Sequence, residues 1–133
     1  PVAAKAVQGE RFETFGPKEN PYTILHEIDS GATATVFKCV RGDEAFAVKS
    51  ISLRRMNLHQ DKTSHLERLH RETEILCMLR HCNIVSLFEV IETREKLHYV
   101  MEYIPGGDLA KHIREHDSGL PEHEARYIFL QSV

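Results

Sequence analysis

Short runs rich in apolar and strand-favouring residues over Tyr22–Ile28, Thr35–Val40 and Ala45–Ile51 predict three strands. Arg41-Gly42-Asp43-Glu44 separates the last two as a hairpin turn. A helical period follows. Leu66, Leu69, Thr73, Ile75, Leu76 and Leu79 fall on one side of a helix, and Ser64 with Glu67 has the spacing of a capping box at its start. Glu72 lies within that apolar stripe, whereas Glu67 and Glu74 point away. Ile84–Ile91 and Lys96–Tyr103 read as two further strands joined by Glu92-Thr93-Arg94-Glu95. Pro105-Gly106-Gly107 breaks the pattern as a linker. Asp108 can cap a short helix reaching about His116. Ser118-Gly119-Leu120-Pro121 ends it, and Pro121 suits the first turn of a last helix with Ala125, Ile128 and Phe129 on its apolar side. The order predicts an α+β fold: a five-stranded antiparallel sheet with one main helix, then a linker and two helices. Residues 1–20 read as an N-terminal extension ending in the turn cluster Gly16-Pro17-Lys18-Glu19-Asn20-Pro21, and nothing in the pattern gives Phe12 or Phe15 a seat.

The pattern also isolates two charges. Lys49 closes the apolar run Ala45-Phe46-Ala47-Val48, and Glu72 sits on the helix's core-facing side. Either charge buried alone costs roughly 3–5 kcal/mol, so the sequence predicts that they pair. A phosphate-sized anion beside them would give the lysine a second partner. The small-residue turn Ile28-Asp29-Ser30-Gly31-Ala32-Thr33-Ala34-Thr35-Val36 suits covering such an anion.

Composition adds bounds. At 133 residues, 41% apolar, 28% charged and a formal charge of -3, the chain is ordinary for a globular domain. No basic cluster points to nucleic acid or a membrane surface, and no apolar stretch approaches the roughly 20 residues of a membrane span. Pro1–Val7 lacks the basic and apolar regions of a signal peptide. Cys39, Cys77 and Cys82, without C-x-x-C spacing, read as reduced structural thiols of an intracellular protein, cytoplasmic or nuclear.

Six segments in order resemble the protein kinase family. Phe46-Ala47-Val48-Lys49 is similar to the kinase V-A-I-K strand, and Glu72-Thr73-Glu74-Ile75-Leu76 to the helix that carries the partner glutamate. Arg80-His81-Cys82-Asn83-Ile84-Val85 resembles H-P-N-I-V, and Tyr99-Val100-Met101-Glu102-Tyr103-Ile104 the strand entering the hinge. Pro105-Gly106-Gly107-Asp108-Leu109 and Glu124-Ala125-Arg126 have counterparts too. The resemblance runs from Tyr22 to Val133. It implies an N-lobe over 21–103, a hinge at 104–107 and the start of a helical C-lobe over 108–133. The implied activity is transfer of the ATP γ-phosphate to protein Ser or Thr, with the calmodulin- or cyclic-nucleotide-dependent branches nearest.

The resemblance also implies roles. Lys49, fixed by Glu72, would hold the ATP phosphates. Ile28, Val36 and Ala47 would sandwich the adenine beneath Gly31, with Met101 as gatekeeper. The Glu102 carbonyl and Ile104 backbone would bind the adenine edge, and Asp108 would face the ribose or a basic substrate residue.

There are departures. Of the family's G-x-G-x-x-G-x-V only Gly31 and Val36 stand. Ala34 costs about 1–2 kcal/mol if its φ is positive. Asp29 repels phosphates unless it faces solvent. H-R-D, D-F-G and A-P-E do not occur in these residues, and His70-Arg71-Glu72 mimics the first only in letters. Phosphoryl transfer by the chain alone is therefore not expected, and Mg²⁺ ligands are expected beyond Val133, with no metal ligand in this site. Protein substrates would likewise engage a C-lobe beyond these residues, while the uncovered last helix predicts self-association, rearrangement of that helix onto the lobe, or poor order there. A non-catalytic, regulatory kinase-like module is the alternative. A more distant one is a zinc peptidase, from the H-x-x-E-H spacing of His112, Glu115 and His116.

Overall fold

The computed structural model describes residues 13–32, 34–56, 62–116 and 118–132, without the side chains of 55, 56, 62–66, 68 and 69. Phe12 and the side chains of Leu66 and Leu69 thus lie outside the described residues.

Six strands form one antiparallel sheet: β1 (Thr14–Phe15), β2 (Tyr22–Ser30), β3 (Ala34–Arg41), β4 (Glu44–Ser52), β5 (Leu87–Glu92) and β6 (Lys96–Glu102). Their order is β1-β2-β3-β4-β6-β5. The β3–β4 hairpin closes at Arg41↔Glu44, with Gly42 at φ 61 supplying the left-handed turn position.

The expected five strands are six because the supposed extension belongs to the sheet. Thr14 pairs with Thr23, Phe15 pairs with Tyr22, and Ile24 N–H donates to the Glu13 carbonyl at 2.9 Å. Gly16, at φ 93, turns the chain so closely over Ile91 that a Cβ there would come within 3.2 Å of its Cδ1. The cause is burial. Phe15 completes a core of Tyr22, Ile24, Cys39, Phe46, Val48 and Val100. Its ring stacks on Tyr22 and on His98, with centroids 5.1 and 4.3 Å apart.

Polar groups within this face are paired. Ser50 Oγ and His98 Nδ1 lie 2.8 Å apart, and burial, aided by Lys96, holds the His98 pKa below its ordinary value. Tyr22 donates its hydroxyl to Glu89, which also accepts from Arg41 Nη1 at 2.9 Å, and the Arg41 guanidinium lies over the Tyr22 ring. Burial, then the Glu89 contact, raises the Tyr22 pKa well above normal. Burial pushes the Cys39 thiol up to about 11, which suits an inert structural cysteine; all three cysteines are free thiols.

Four helices complete the fold: α1 (Leu53–Met56), α2 (Lys62–Met78), α3 (Leu109–Arg114) and α4 (Glu122–Ser132). Helix α2 is already formed at Lys62, so the expected Ser64–Glu67 box lies inside it rather than at its start. The strand expected from Ile84 begins at Leu87. Before it, a tight turn has Ile84 N–H donating to the His81 carbonyl and Asn83 N–H to the His81 ring. Asp108 caps α3 as expected, accepting from Lys111 N–H at 2.6 Å. Helix α4 buries no residue, and Tyr127, Phe129 and Leu130 are each about two-thirds exposed.

Candidate functional site

The sheet's second face gathers four of the sequence-predicted site residues, Val36, Ala47, Lys49 and Met101. Residues directly opposite in antiparallel strands share a face. Register sets Val36 against Lys49 and Lys49 against Tyr99, and the next row is Lys38, Ala47 and Met101. Val36, Ala47, Lys49 and Met101 therefore lie side by side on one surface. Alternation in β4 sends Phe46, Val48 and Ser50 the other way, into the core.

Behind this surface is a cavity of about 350 Å³. Lys49 and Ile51 of β4, Tyr99 and Met101 of β6, and Leu76 of α2 line it, with Leu79 and the segment Ile84–Leu87 closing the far side. Sequence reading placed Lys49 and Met101 here. It missed Ile51, Leu87 and Tyr99 as lining, although the same period-two alternation could have supplied them.

The Lys49–Glu72 pair is not made. Both side chains are exposed, and the ion pairs among the described residues involve neither. The reason is helix rotation. Thr73 is buried, Cys77 is half-buried, and His70 Nε2 reaches to 3.6 Å from Glu92 Oε2 at the end of β5. Thr73 and Cys77 form the inward row of α2 with His70 at its rim, and Glu72 lies about 100° round the helix from Thr73. Ile75, Leu76 and Leu79, assigned to the inward face from periodicity, are 52%, 46% and 43% exposed. With neither charge buried, the desolvation argument that demanded a pair does not apply.

The loop between β2 and β3 resolves both earlier concerns. No described residue other than glycine has positive φ, and Ala34 sits in β3, so it carries no left-handed strain. Asp29 is exposed and its Oδ1 accepts from Ser30 N–H at 2.8 Å, turning the carboxylate back on its own strand. Gly31 N–H donates to the Ala34 carbonyl at 2.8 Å, closing the turn. Ile28 falls at a register shift between Glu27 and Asp29 and is 48% exposed, at the rim.

At the other end, Glu102 N–H donates to the Ser86 carbonyl and its carboxylate accepts from Ser86 N–H, at 2.9 and 3.3 Å. This ties the last residue of β6 to the entry of β5. Ile104, beyond the strand, uses neither backbone N–H nor C=O within the described residues, and its side chain is 54% exposed. Lys38 Nζ lies 4.5 Å from the centroid of the Tyr103 ring, beside this segment.

A family model, the protein kinase domain, matches residues 22–133. The chain belongs to the protein kinase family. It corresponds to the N-terminal part of the kinase domain, and its sheet with α2 is the kinase N-lobe. Sperm motility kinase 3A of Mus musculus is 38% identical over 113 residues, which are 83% of this chain and 20% of that protein. CBL-interacting serine/threonine-protein kinase 16 of Arabidopsis thaliana is 43% identical over 68 residues, 51% of this chain and 14% of that one. The crystal structure of Rad53 1-466 in complex with AMP-PNP superposes with a TM-score of 0.70 at 34% identity, over 83% of this chain and 28% of that one. The chain thus spans a fifth or less of the length of the curated kinases. Family membership removes the peptidase reading, and geometry agrees: Glu115 lies 4.0 Å from Lys111, while the carboxylate beside the histidines is Glu124.

Proposed function

We propose that this chain is the nucleotide-binding portion of an ATP-dependent Ser/Thr protein kinase. The observation that carries the reading is the shared face of Val36, Ala47, Lys49 and Met101, with the unpartnered Ile104 backbone at its end. Val36, Ala47 and the rim residue Ile28 are apolar and suit the adenine, with Gly31 above. The Glu102 carbonyl and Ile104 N–H and C=O would take its polar edge. Lys49, exposed and without an ion-pair partner among the described residues, would bind the phosphates, and Asp108, whose Oδ1 caps α3, would face the ribose or a basic residue of the substrate. Mg²⁺ neutralises phosphate charge when bound; residues outside these 133 would hold it.

The test is calorimetric titration of the purified chain with a non-hydrolysable ATP analogue. Loss of a charge-assisted contact is worth about 1.5–3 kcal/mol, so Lys49→Met should weaken binding roughly ten- to hundredfold. Equal binding by Lys49→Met and the parent would remove the assignment. Absence of any measurable binding would instead favour the non-catalytic reading, to which the unpaired Lys49 and Glu72 already lend weight.

A further inference from the structure

The helical hairpin after the hinge carries a cluster that nucleotide binding does not use. His112 and His116 are one turn apart on and just beyond α3, with ring centroids 4.8 Å apart. Glu124, from the first turn of α4, sets its Oε1 2.7 Å from His112 Nε2. One donor atom from each of the three lies within 4.8 Å of the others. We propose that His112, His116 and Glu124 form a Zn²⁺ site that fastens α3 to α4.

Three features of the donors support this. Two imidazoles and a carboxylate are a borderline N₂O set, which zinc takes with ligand distances of about 2.0–2.2 Å and a solvent molecule in the fourth position. Tetrahedral angles at those distances put ligand atoms about 3.3 Å apart. The His112–Glu124 pair therefore opens by a few tenths of an ångström as the metal replaces the shared proton, and the His116 ring closes in.

The second feature is orientation. His116 Nδ1 lies 2.9 Å from the His112 carbonyl, which can only accept, so Nδ1 carries the hydrogen and Nε2 keeps its lone pair. Zinc-bound histidines are held this way, with the second nitrogen anchored to a carbonyl or carboxylate. The third feature is the surroundings. Glu115, the carboxylate that the sequence spacing offered, is drawn to Lys111, and Glu122 to Arg126 at 3.5 Å, so Glu124 is the carboxylate left to the histidines. His123 adjoins the cluster but supplies no donor atom to it.

The site stands apart from the nucleotide face, and the inference does not rest on that reading. The chain stripped of metal by a chelator is titrated with Zn²⁺ calorimetrically, and with Co²⁺ as a spectroscopic stand-in. The expected result is one ion per chain, with Co²⁺ giving the intense visible bands of a four-coordinate site. His116→Ala and Glu124→Ala are surface changes that leave the fold intact by circular dichroism, and each should weaken binding at least about tenfold. His26→Ala, on exposed β2, should change nothing. Zinc should also slow hydrogen exchange in 109–132 of the parent chain and not of the variants. Binding that survives His116→Ala and Glu124→Ala, or falls equally with His26→Ala, overturns the proposal, as does no stoichiometric binding.

Discussion

Phe15→Ala should destabilise the N-lobe by about 3 kcal/mol, although the residue lies before the segment that resembles a kinase. Phe-to-Ala changes in cores cost about 3–5 kcal/mol, combining lost transfer energy and the cavity left behind. Phe15 is 7% exposed and stacks on both Tyr22 and His98, so the whole ring counts. Its strand has only two residues, however, and can partly collapse into the space, which selects the lower end. With a urea slope of about 2 kcal/mol per molar, the unfolding midpoint should fall by roughly 1.5 M.

A second readout tests the same contact. The Phe15 ring covers His98, whose pKa is lowered chiefly by burial. Removing the ring admits water, so the His98 pKa should move back up towards about 6.5, followed by NMR titration. A midpoint shift below about 0.3 M together with an unchanged His98 titration would refute the account of β1 as part of the core.

Other outcomes follow from the same contacts. Because His98 stays neutral when folded, the unfolded chain takes up a proton that the native one refuses. Stability should be full above about pH 6.5 and fall as pH drops towards the lowered His98 value, and Phe15→Ala should flatten that fall; urea midpoints across pH 5–8 check it. Glu89→Ala leaves the Tyr22 hydroxyl without its partner and Arg41 without its carboxylate, so a loss of about 2–3 kcal/mol is expected; a change under about 0.5 kcal/mol would remove that triad from the stabilising contacts. Glu72→Gln should alter stability by less than about 0.5 kcal/mol, since Glu72 is exposed and unpaired here, whereas a buried pair would show a loss of roughly 3–5 kcal/mol. Radiolabelled phosphate transfer by the purified chain is expected to be nil, and measurable transfer would mean a catalytic base among residues given none.

Strand existence was legible because short apolar runs and turn chemistry agreed: five runs became strands, with ends displaced by a few residues. β1 was not legible, because a two-residue strand has no period and its reason is the distant pocket between Tyr22 and His98. The shared face of Lys49 and Met101 was legible through the resemblance, which assigned both to one pocket, and the register of β4 with β6 sets them on one surface. The rotation of α2 was not. Periodicity defines a stripe, but Thr73 and His70 are amphipathic enough to serve as its inward edge, and which edge docks depends on the β5 surface it meets. Likewise the H-x-x-E-H spacing found two histidines that do sit together, and named the wrong carboxylate, because Glu124 arrives from another helix.

Packing on the two faces of the sheet is unequal. The core lies on the face that receives the Phe15 side chain, where Phe15, Tyr22, Phe46, Val48 and Val100 pack together without α2. Among the described side chains of α2, Thr73 alone is buried. Burial of a side chain of ordinary size is worth about 1.5–3 kcal/mol, and one small threonine less, so little packing on this helix opposes a roll of one residue's rotation. Such a roll would carry Glu72 towards the sheet while Leu76, 46% exposed and already lining the cavity beside Lys49, turned further from solvent. Each charge would then be desolvated only as it gained its partner, which avoids the penalty of burying either alone. On the proposed reading, a phosphate on Lys49 would compete for the same ammonium but also fix it in place, which would couple nucleotide and α2 position through one side chain. The expected signature is reciprocal: Glu72→Gln, silent in the stability of the free chain, should weaken analogue binding. If binding is unchanged by Glu72→Gln while Lys49→Met weakens it, Lys49 acts without the helix and the coupling is absent.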